Sequence, residues 1–342
     1  MKQFKFLRII ALTTIFGLFI SCDNNDEPID EPFQMPSKVI NKIVIDKDGV
    51  KWFATEKGVV SYDGAKWTTF KDNKGPKTDP IADLAFDAAT GISKLWLASN
   101  VGASSFEFGA TSISVLNYKK ANSGIMDDNI SAIGVDANNV KYFGTSVGLS
   151  IFKGTTWDKY LGRKGDGEIL SKYKISAIST AKNGFVYAAT EGGGISKFKY
   201  TDAISGATTL NKPWANGLPS DTIYSMIVYN DTCQWYGTDK GVAHHSSEYT
   251  KESWSTFTRT DGLICDTVYA IAKDGSGNIW FGTHKGVSKL HMSIDTTWTS
   301  YTTKDGLISN KVNAVAADVD GSIWFGTDEG ISSLANGKWT KF

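Results

Sequence analysis

The most regular feature of the hydrophobic pattern is a short apolar stretch that ends in a small residue. Its clearest copies are Ile279-Trp280-Phe281-Gly282-Thr283 and Ile323-Trp324-Phe325-Gly326-Thr327. Successive side chains of a β-strand point to opposite faces, so Trp280 faces one side while Ile279 and Phe281 face the other. A strand that is apolar on both faces is stable only when other layers cover both of them.

Weaker copies of this stretch bring the total to seven, spaced 44 to 48 residues apart. The small residue near its end is Gly or Ala, at Ala54, Ala98, Gly144, Ala189, Gly237, Gly282 and Gly326. An aromatic residue stands two places earlier, at Trp52, Trp96, Tyr142, Tyr187, Trp235, Trp280 and Trp324. A period of this length, containing several strand-like pieces, is typical of a β-propeller.

Each copy supplies four predicted strands. The last two copies illustrate them. The first strand is a β-branched run such as Val312–Val315, and the second is the apolar stretch described above. The third, such as Gly286–Leu290, follows a turn that ends in Gly, and the fourth, such as Trp298–Tyr301, carries an aromatic pair. The final repeat has its own fourth strand, Trp339–Phe342, so we expect the ring to close by packing of blade 7 against blade 1. The sequence therefore predicts an all-β fold, a single seven-bladed β-propeller over residues 35–342 with four antiparallel strands per blade.

The N-terminus has a basic start and then an apolar run, Ile9–Ile20. That length fits the core of a signal peptide and falls short of the ~20 residues that a membrane-spanning helix needs. The segment Leu18–Cys22 resembles the cleavage box of bacterial lipoproteins. We therefore predict a lipoprotein signal peptide at 1–21, and a lipidated Cys22 with a flexible acidic linker at 22–34. The alternative is ordinary secretion with an unmodified Cys22.

A family resemblance rests on the pattern Gly-x-Ile-Trp-Phe-Gly-Thr-x-x-Gly-Val-Ser, followed by Trp-x-x-Tyr and Asp-Gly-Leu. The pattern resembles the two-component regulator propeller repeat, and it extends over about residues 35–342. It is close to ideal in blades 6 and 7, and degenerate at Leu95–Ser99 in blade 2 and Val186–Thr190 in blade 4. The resemblance implies a sensor-type propeller, here as a stand-alone bacterial lipoprotein whose signalling would pass through a partner. In that family the propeller forms the periplasmic sensing region of hybrid histidine kinases, often carbohydrate-responsive ones.

Charge and localisation narrow the classes of partner. The formal net charge is zero, and no basic stripe is present that could displace counterions from nucleic acid. Together with the signal peptide, this predicts an outer-membrane lipoprotein facing the periplasm or the cell surface. We expect a monomer that contacts the membrane only through its lipid anchor, without a cofactor and without nucleic acid.

Positions that recur in every repeat serve the architecture, so function is expected where the copies differ on one shared rim. The turn after the second strand and the loop before each new blade lie on the same rim of a propeller. The residues that follow the Thr or Ser of the second strand form a mostly polar ring there: Glu56, Asn100, Ser146, Glu191, Asp239, His284 and Asp328. Trp214 is a candidate stacking platform for a sugar ring. We interpret these residues as a funnel that binds a glycan or an envelope protein; the alternative is that they are solvated turn residues and that Trp214 is a displaced packing residue.

Catalytic and metal chemistry are not predicted. Asp239, His284 and Asp328 lie on consecutive blades, and sheets packed ~10 Å apart place them too far from one ion whose ligand atoms must lie within ~2 Å. His244 and His245 are neighbours on a strand and point in opposite directions. No Ser-His-Asp spacing is recognisable, so we predict a protein that is not an enzyme. Cys233 begins a second strand and Cys265 precedes a first strand, on opposite faces, so no disulfide between them is expected.

Two other functional classes stay open. Streptogramin lyases are also seven-bladed propellers with an Ile-Trp-Phe motif, and they use a His, an acidic group and a divalent ion. This chain has Gly-Thr where their motif reads Thr-Glu, and His284 is its one plausible rim histidine. The remaining class is a structural scaffold in an outer-membrane assembly.

Overall fold

Seven four-stranded antiparallel sheets, each built from four consecutive strands, follow one another along the chain. The computed structural model describes residues 33–70, 80–87, 94–108, 113–162, 164, 168–210, 217–230, 232–248, 251–292 and 296–342. The propeller forms one unit, Met35–Phe342. The prediction of an all-β propeller with seven four-stranded blades is confirmed. Within the described residues, no helix is long and apolar enough to cross a membrane.

The first four blades have regular strands of four to seven residues. Blade 1 contains β1 (Ile40–Ile45), β2 (Lys51–Thr55), β3 (Gly58–Tyr62) and β4 (Trp67–Phe70). Blade 2 contains β5 (Ile81–Phe86), β6 (Lys94–Ser99), β7 (Gly102–Phe108) and β8 (Ile113–Tyr118). Blade 3 contains β9 (Ile130–Val135), β10 (Lys141–Thr145), β11 (Gly148–Lys153) and β12 (Thr156–Tyr160). After a one-turn helix, α1 (Ile169–Lys172), blade 4 contains β13 (Ile175–Thr180), β14 (Phe185–Thr190), β15 (Ile195–Tyr200) and β16 (Ile204–Leu210).

The last three blades repeat the same plan. Blade 5 contains β17 (Ile223–Asn230), β18 (Cys233–Thr238), β19 (Gly241–Glu248) and β20 (Lys251–Phe257), followed by a 3₁₀ turn at Arg259–Asp261. Blade 6 contains β21 (Val268–Lys273), β22 (Ile279–Thr283), β23 (Gly286–His291) and β24 (Thr297–Tyr301). Blade 7 contains β25 (Val312–Ala317), β26 (Ile323–Thr327), β27 (Ile331–Ala335) and β28 (Lys338–Lys341). The first strands contact one another around a closed ring and therefore line the central channel.

The second strand of each blade is buried between two neighbouring blades. In β22 every residue is buried. Trp280 packs towards blade 7, with its ring 5.8 Å from that of Phe325, whereas Phe281 packs towards blade 5, 5.7 Å from the ring of Trp235. The two apolar faces seen in the sequence are thus covered by two different sheets, as predicted.

The small residue near the end of the second strand faces the first strand of the following blade. A Cβ added at Gly326 would lie 2.5 Å from Cγ2 of Ile40, and one added at Gly144 would lie 2.6 Å from Cγ2 of Ile175. Both separations are far shorter than a normal van der Waals contact. The steric reason predicted for the Gly-or-Ala rule is confirmed.

An aspartate in the turn after the first strand holds the second-strand aromatic ring. In blade 6, Oδ1 of Asp274 accepts hydrogen bonds from the backbone N–H groups of Ser276 and Asn278, and Oδ2 accepts one from Nε1 of Trp280 at 2.9 Å. Burial alone would raise the pKa of Asp274, but the hydrogen bonds from Trp280 and Asn278 outweigh it and lower that pKa. The Asp therefore fixes the turn and the Trp rotamer at once.

Polar side chains on the first strands tie neighbouring blades together around the channel. Asn41 in blade 1 donates through Nδ2 to the carbonyl of Ile81 in blade 2, at 2.9 Å. Asn313 in blade 7 makes the same bond to the carbonyl of Ile40 in blade 1, at 3.3 Å. Ser131 joins blade 3 to blade 4 in the same way. Because these bonds also cross the junction of blades 7 and 1, they help to close the ring.

The junction between blade 7 and blade 1 combines a buried ion pair with aromatic packing. Nζ of Lys51 lies 2.5 Å from Oδ2 of Asp318, and both side chains are almost fully buried. The same ammonium group lies 5.4 Å from the ring centre of Trp324, which stacks on Phe342. Phe342 also meets Trp67 of blade 1 edge-on. The predicted side-by-side packing of the two blades is confirmed, with no exchange of strands between the two sheets.

The turn after the second strand requires a glycine in the left-handed region. Gly286 has φ +128°, and a Cβ there would lie 2.3 Å from the carbonyl oxygen of Tyr301. In the sequence this turn ends in Gly in all seven repeats, which predicts a positive φ there and assigns Gly193 to this role in blade 4. That assignment is wrong, because Gly192 and Gly194 have the positive φ values, +119° and +77°. The blade 4 turn is one residue longer than the others, which shifts the strained positions.

Candidate functional site

The loops before each blade and the turns after the second strands lie on one face, which we call the top face. The backbone N–H of Gly241, in a turn of blade 5, donates to the carbonyl of Asp266 in the loop before blade 6, at 2.7 Å. The N–H of Gly192 in blade 4 donates in the same way to the carbonyl of Asp221, at 3.0 Å. The shared rim predicted from the repeat is therefore present.

At the top face the central channel widens into a cavity of about 350 Å³, which we call the channel mouth. Its lining combines hydroxyl, amide, charged and aromatic side chains from six blades: Asn41, Ser131, Lys174, Ser176, Glu191, Tyr224, Tyr269 and Asn313. Of the seven predicted rim positions that follow the second strands, Glu191 is the one that contributes to this lining.

A β-bulge near the start of each first strand points these side chains into the channel. In β1 the pairing with β2 shifts between Ile40 and Lys42, so Asn41 is an extra residue. The same shift makes Tyr224 the extra residue in β17 and Tyr269 the extra residue in β21. A bulged residue departs from the alternation of a regular strand, and its side chain is re-aimed. The bulge thus gives six of the seven blades one variable side chain at the channel mouth; in blade 2 the bulged residue is Ala82, which lies outside the lining.

Two tyrosines form the aromatic part of the channel mouth. The ring centres of Tyr224 and Tyr269 are 5.3 Å apart, with an angle of 52° between the ring planes. Burial raises the pKa of Tyr224, and the nearby carboxylates of Asp239 and Glu191 raise it further. The phenol of Tyr224 therefore stays neutral at physiological pH, and both tyrosines present a hydroxyl group beside an apolar ring face.

An ion pair stands at the edge of the channel mouth. Nζ of Lys174, in the loop that follows α1, lies 2.7 Å from Oε1 of Glu191. Their side chains are 59% and 32% exposed, so the pair contributes little to stability. It instead offers a donor and an acceptor to anything that enters from the top face.

Two further carboxylates beside the channel mouth have unused acceptor atoms. Among the described residues, Oδ1 of Asp221 and Oδ1 of Asp239 are buried without a hydrogen-bond partner. Burial raises the pKa of Asp221, and the charge of Lys240 opposes that rise. Both oxygens can accept a hydrogen bond from a ligand or from solvent.

Deeper in the channel, a second ion pair links three blades. Nζ of Lys42 in blade 1 lies 3.0 Å from Oδ1 of Asp83 in blade 2. Oδ2 of Asp83 accepts a hydrogen bond from the backbone N–H of Ile133 in blade 3, also at 3.0 Å. Asp83 is satisfied by these contacts, which hold the narrower part of the channel together.

The other six predicted turn positions lie on the top face but outside the cavity lining. Oδ1 of Asp328 accepts a hydrogen bond from Ser309 at 2.6 Å, which stabilises the loop before blade 7. The remaining turn positions are exposed: Glu56, Asn100, Ser146 and His284. Trp214 and Cys22 lie outside the described residues, so the structure says nothing about the stacking platform or the lipid attachment.

Sequence reasoning missed most of the channel mouth. The six residues contributed by the first strands all follow the β-branched residue that opens the strand, as Tyr224 follows Ile223 and Tyr269 follows Val268. An alignment of the seven repeats on that residue exposes a polar, variable column directly beside a recurring apolar one. This column is visible in the sequence, but the alternation of a regular strand does not indicate that its side chains point into the channel.

The paired histidines point to opposite faces of β19, as predicted. The ring of His244 stacks on Trp235 at 4.2 Å, and the ring of His245 packs on Trp254 at 4.6 Å. Nε2 of His244 lies 3.7 Å from Sγ of Cys233 at the face opposite the top face, which we call the bottom face. Cys265 lies at the top face. Within the described part of the chain, no group of three or more His, Cys, Asp and Glu side chains converges.

Burial of His244 predicts an acid-dependent loss of stability. Burial, and to a smaller extent His245, lowers the pKa of His244 to about 4. The imidazole of His244 binds a proton near pH 6.5 in the unfolded chain but only near pH 4 in the folded one. The free energy of unfolding is therefore unaffected above pH 6.5 and decreases as the pH falls from 6.5 towards 4. We expect the loss to reach about 2–3 kcal/mol, and we expect His244→Phe, which keeps the stacking on Trp235, to remove it. Urea unfolding of both proteins across this pH range measures the difference; parallel curves contradict the prediction.

Comparison with known families matches the two repeats that are most regular. The sequence model described as "Two component regulator propeller" matches residues 262–285 and 306–329, each running from a top-face loop to the turn after the second strand. These lie in blades 6 and 7, where the predicted pattern is close to ideal. A comparison with curated proteins found no match.

Solved structures share the architecture at low sequence identity. The extracellular domain of the putative hybrid two-component system BT4673 from B. thetaiotaomicron is 17% identical with a TM-score of 0.69, covering 88% of this chain and 38% of that one. PorZ, a surface component of the type-IX secretion system of Porphyromonas gingivalis, is 17% identical with a TM-score of 0.67, covering 86% of this chain and 46% of that one. Virginiamycin B lyase from Staphylococcus aureus is 12% identical with a TM-score of 0.64, covering 86% and 93%.

These likenesses establish the fold, because proteins at such low identity share architecture without sharing activity. The chain spans 38% of the length of the BT4673 domain. Residues 262–285 and 306–329 match the two-component regulator propeller repeat, and the seven four-stranded blades make the chain a seven-bladed β-propeller.

Proposed function

We propose that this protein is a non-catalytic recognition module of the cell envelope, and that it binds a glycan at the channel mouth. The observation that carries the proposal is the composition of that cavity. It is about 350 Å³ in volume, within the size of small-molecule sites, and it gathers polar groups and two aromatic rings from different blades. The scaffold recurs from blade to blade, whereas this ring of side chains does not.

The chemistry of the lining suits a polyhydroxyl ligand. Asn41 and Asn313 are held in place because each donates through Nδ2 to the next blade, which leaves Oδ1 to accept from a ligand. The rings of Tyr224 and Tyr269 offer apolar faces on which a sugar ring can stack. Groups that are fixed before binding lose less conformational entropy when the ligand arrives.

The envelope location and the sensor-like role are part of the proposal. They are supported by the N-terminal lipoprotein signal in the sequence and by the fold shared with an extracellular sensor domain and a surface secretion component. A lipid at Cys22 and the acidic linker at 22–34 would hold the propeller near the outer membrane. An envelope protein is the second kind of partner that the top face can serve.

Glycan-array screening followed by calorimetry tests the proposal. We expect a glycan that binds the wild-type chain to bind the double variant Tyr224→Ala/Tyr269→Ala at least tenfold more weakly, because stacking and burial are lost together. Tyr229→Ala is the matched control, since Tyr229 is a tyrosine of the same strand as Tyr224, is 39% exposed and lies outside the cavity lining. The control is expected to bind like wild type.

Four outcomes would contradict the proposal. If no glycan binds, or if the double variant binds unchanged, the channel mouth is not a glycan site. Capture of an envelope protein that survives the double variant would support the scaffold class instead. Turnover of a streptogramin that disappears in His284→Ala would show that the protein is an enzyme.

A further inference from the structure

A thiol and an imidazole meet on the top face, outside the channel mouth. Sγ of Cys265 lies 3.4 Å from Nδ1 and 3.9 Å from Nε2 of His284. Cys265 is 5% exposed, while the histidine ring lies at the surface. The thiol is not part of a disulfide. An ion arriving from solvent can therefore reach the sulfur along the exposed histidine.

The repeats show what normally occupies these two positions. In blade 7 the equivalent residues are Ser309 and Asp328, joined by a hydrogen bond of 2.6 Å. Cys265 takes the same capping role as the serine, because its sulfur accepts the backbone N–H of Thr267 at 3.5 Å. Blade 6 thus replaces two oxygen groups by a sulfur and a nitrogen, both at once and in contact.

That exchange changes the ions the site prefers. Hydroxyl and carboxylate oxygens suit hard cations, whereas thiolate and imidazole suit zinc and other soft or borderline ions. Zinc bonds of ~2.3 Å to sulfur and ~2.0 Å to nitrogen in a tetrahedron place the two ligand atoms ~3.5 Å apart. The observed separation of Sγ and Nδ1, 3.4 Å, matches this span.

We propose that Cys265 and His284 together form a binding site for a zinc-class divalent ion at the top face. On binding, the thiol loses its proton to solvent as the metal–sulfur bond forms, and the imidazole binds in its neutral form. The hydrogen bond from the N–H of Thr267 stabilises the resulting thiolate. Two protein ligands leave two tetrahedral positions, which water or a donor atom of a partner molecule fills.

The chain contains a second Cys–His pair that serves as an internal comparison. Cys233 and His244 are 3.7 Å apart at the bottom face, but His244 is stacked on Trp235. Turning that imidazole towards an ion would break the stacking. We therefore assign the ion to Cys265 and His284 at the top face.

Metal titration of the full chain tests the site, with Cys22→Ser present in every sample so that this third thiol does not contribute. Cd²⁺ reports thiolate binding through its ultraviolet charge-transfer absorption, and Zn²⁺ affinity follows from competition with a chelating dye. We expect wild type to bind one ion per chain with a thiolate signal. Cys265→Ser/His284→Asp, which recreates the blade 7 pair, should lose that signal and bind at least tenfold more weakly while its thermal unfolding is unchanged.

Two control variants distinguish this site from the bottom-face thiol and from the channel mouth. Cys233→Ser is expected to bind like wild type, and Tyr224→Ala/Tyr269→Ala should also keep its metal, so this proposal and the glycan proposal can fail independently. A wild-type chain that binds no ion overturns the proposal. So does a Cys265→Ser/His284→Asp variant that binds as tightly as wild type, or a thiolate signal that follows Cys233.

Discussion

Replacement of Lys51 by methionine is expected to lower the free energy of unfolding by about 3–5 kcal/mol. The substitution keeps the length of the side chain but leaves the carboxylate of Asp318 buried without its counter-ion, and the side chain of Asp318 is 2% exposed. It also removes the ammonium group that lies over the ring of Trp324. Because this pair lies where blade 7 meets blade 1, its loss weakens the contact that closes the ring. Urea denaturation followed by tryptophan fluorescence measures the change.

Lys38→Met is the matched control for this prediction. Lys38 also pairs across the same junction, with Glu329 at 3.5 Å, but both side chains are largely exposed. An exposed pair contributes at most about 1 kcal/mol, so this variant should unfold almost like wild type. Equal losses in the two variants would show that burial of the Lys51–Asp318 pair does not decide the stability of the junction.

Truncation of Trp96 to alanine should cost about 3–5 kcal/mol of unfolding free energy. This second-strand ring is 1% exposed and packs edge-on against Phe143 of the next blade at 5.8 Å. Its Nε1 donates to Oδ1 of Asp87 at 2.7 Å, and Nζ of Lys141 pairs with the same carboxylate oxygen at 2.9 Å. The truncation therefore opens a cavity between two blades and removes one donor from the partly buried carboxylate of Asp87. Thermal and urea unfolding measure the loss.

Two further variants separate these contributions. Trp96→Phe keeps most of the ring but lacks the indole N–H, so it should cost less than Trp96→Ala and isolate the bond to Asp87. Trp298→Ala removes an aromatic ring of an outer strand that is only partly buried, and it should cost less than half as much. If Trp298→Ala is as destabilising as Trp96→Ala, the distinction between inner and outer rings is wrong.

The sequence predicted the fold well because its strongest signals are local and repeated. The second strand carries information on both neighbouring blades, because Trp280 and Gly282 face the following blade whereas Phe281 faces the preceding one. The blade 4 turn was assigned incorrectly at Gly193, because one extra residue changes which glycine takes the left-handed conformation. Such a shift has no effect on the hydrophobic period.

The candidate site was only partly predictable. Glu191 was identified from its place after the second strand, and it does line the channel mouth. Tyr224 and Tyr269 were not identified, since their direction depends on a β-bulge that the alternation of a strand does not encode. The contact of Cys265 with His284 was also missed, because the two residues belong to a loop and a turn that meet only in the folded blade.

The sequence alone determined the number of blades, the order of strands and the residues that pack between sheets. A strand that is apolar on both faces must be covered on both, and seven such strands spaced 44 to 48 residues apart predict a ring of seven sheets. Tertiary structure decided which side chains meet at the centre and on the top face. Those meetings depend on bulges, on turn length and on contacts between residues far apart in the chain, and a repeating pattern contains none of that information.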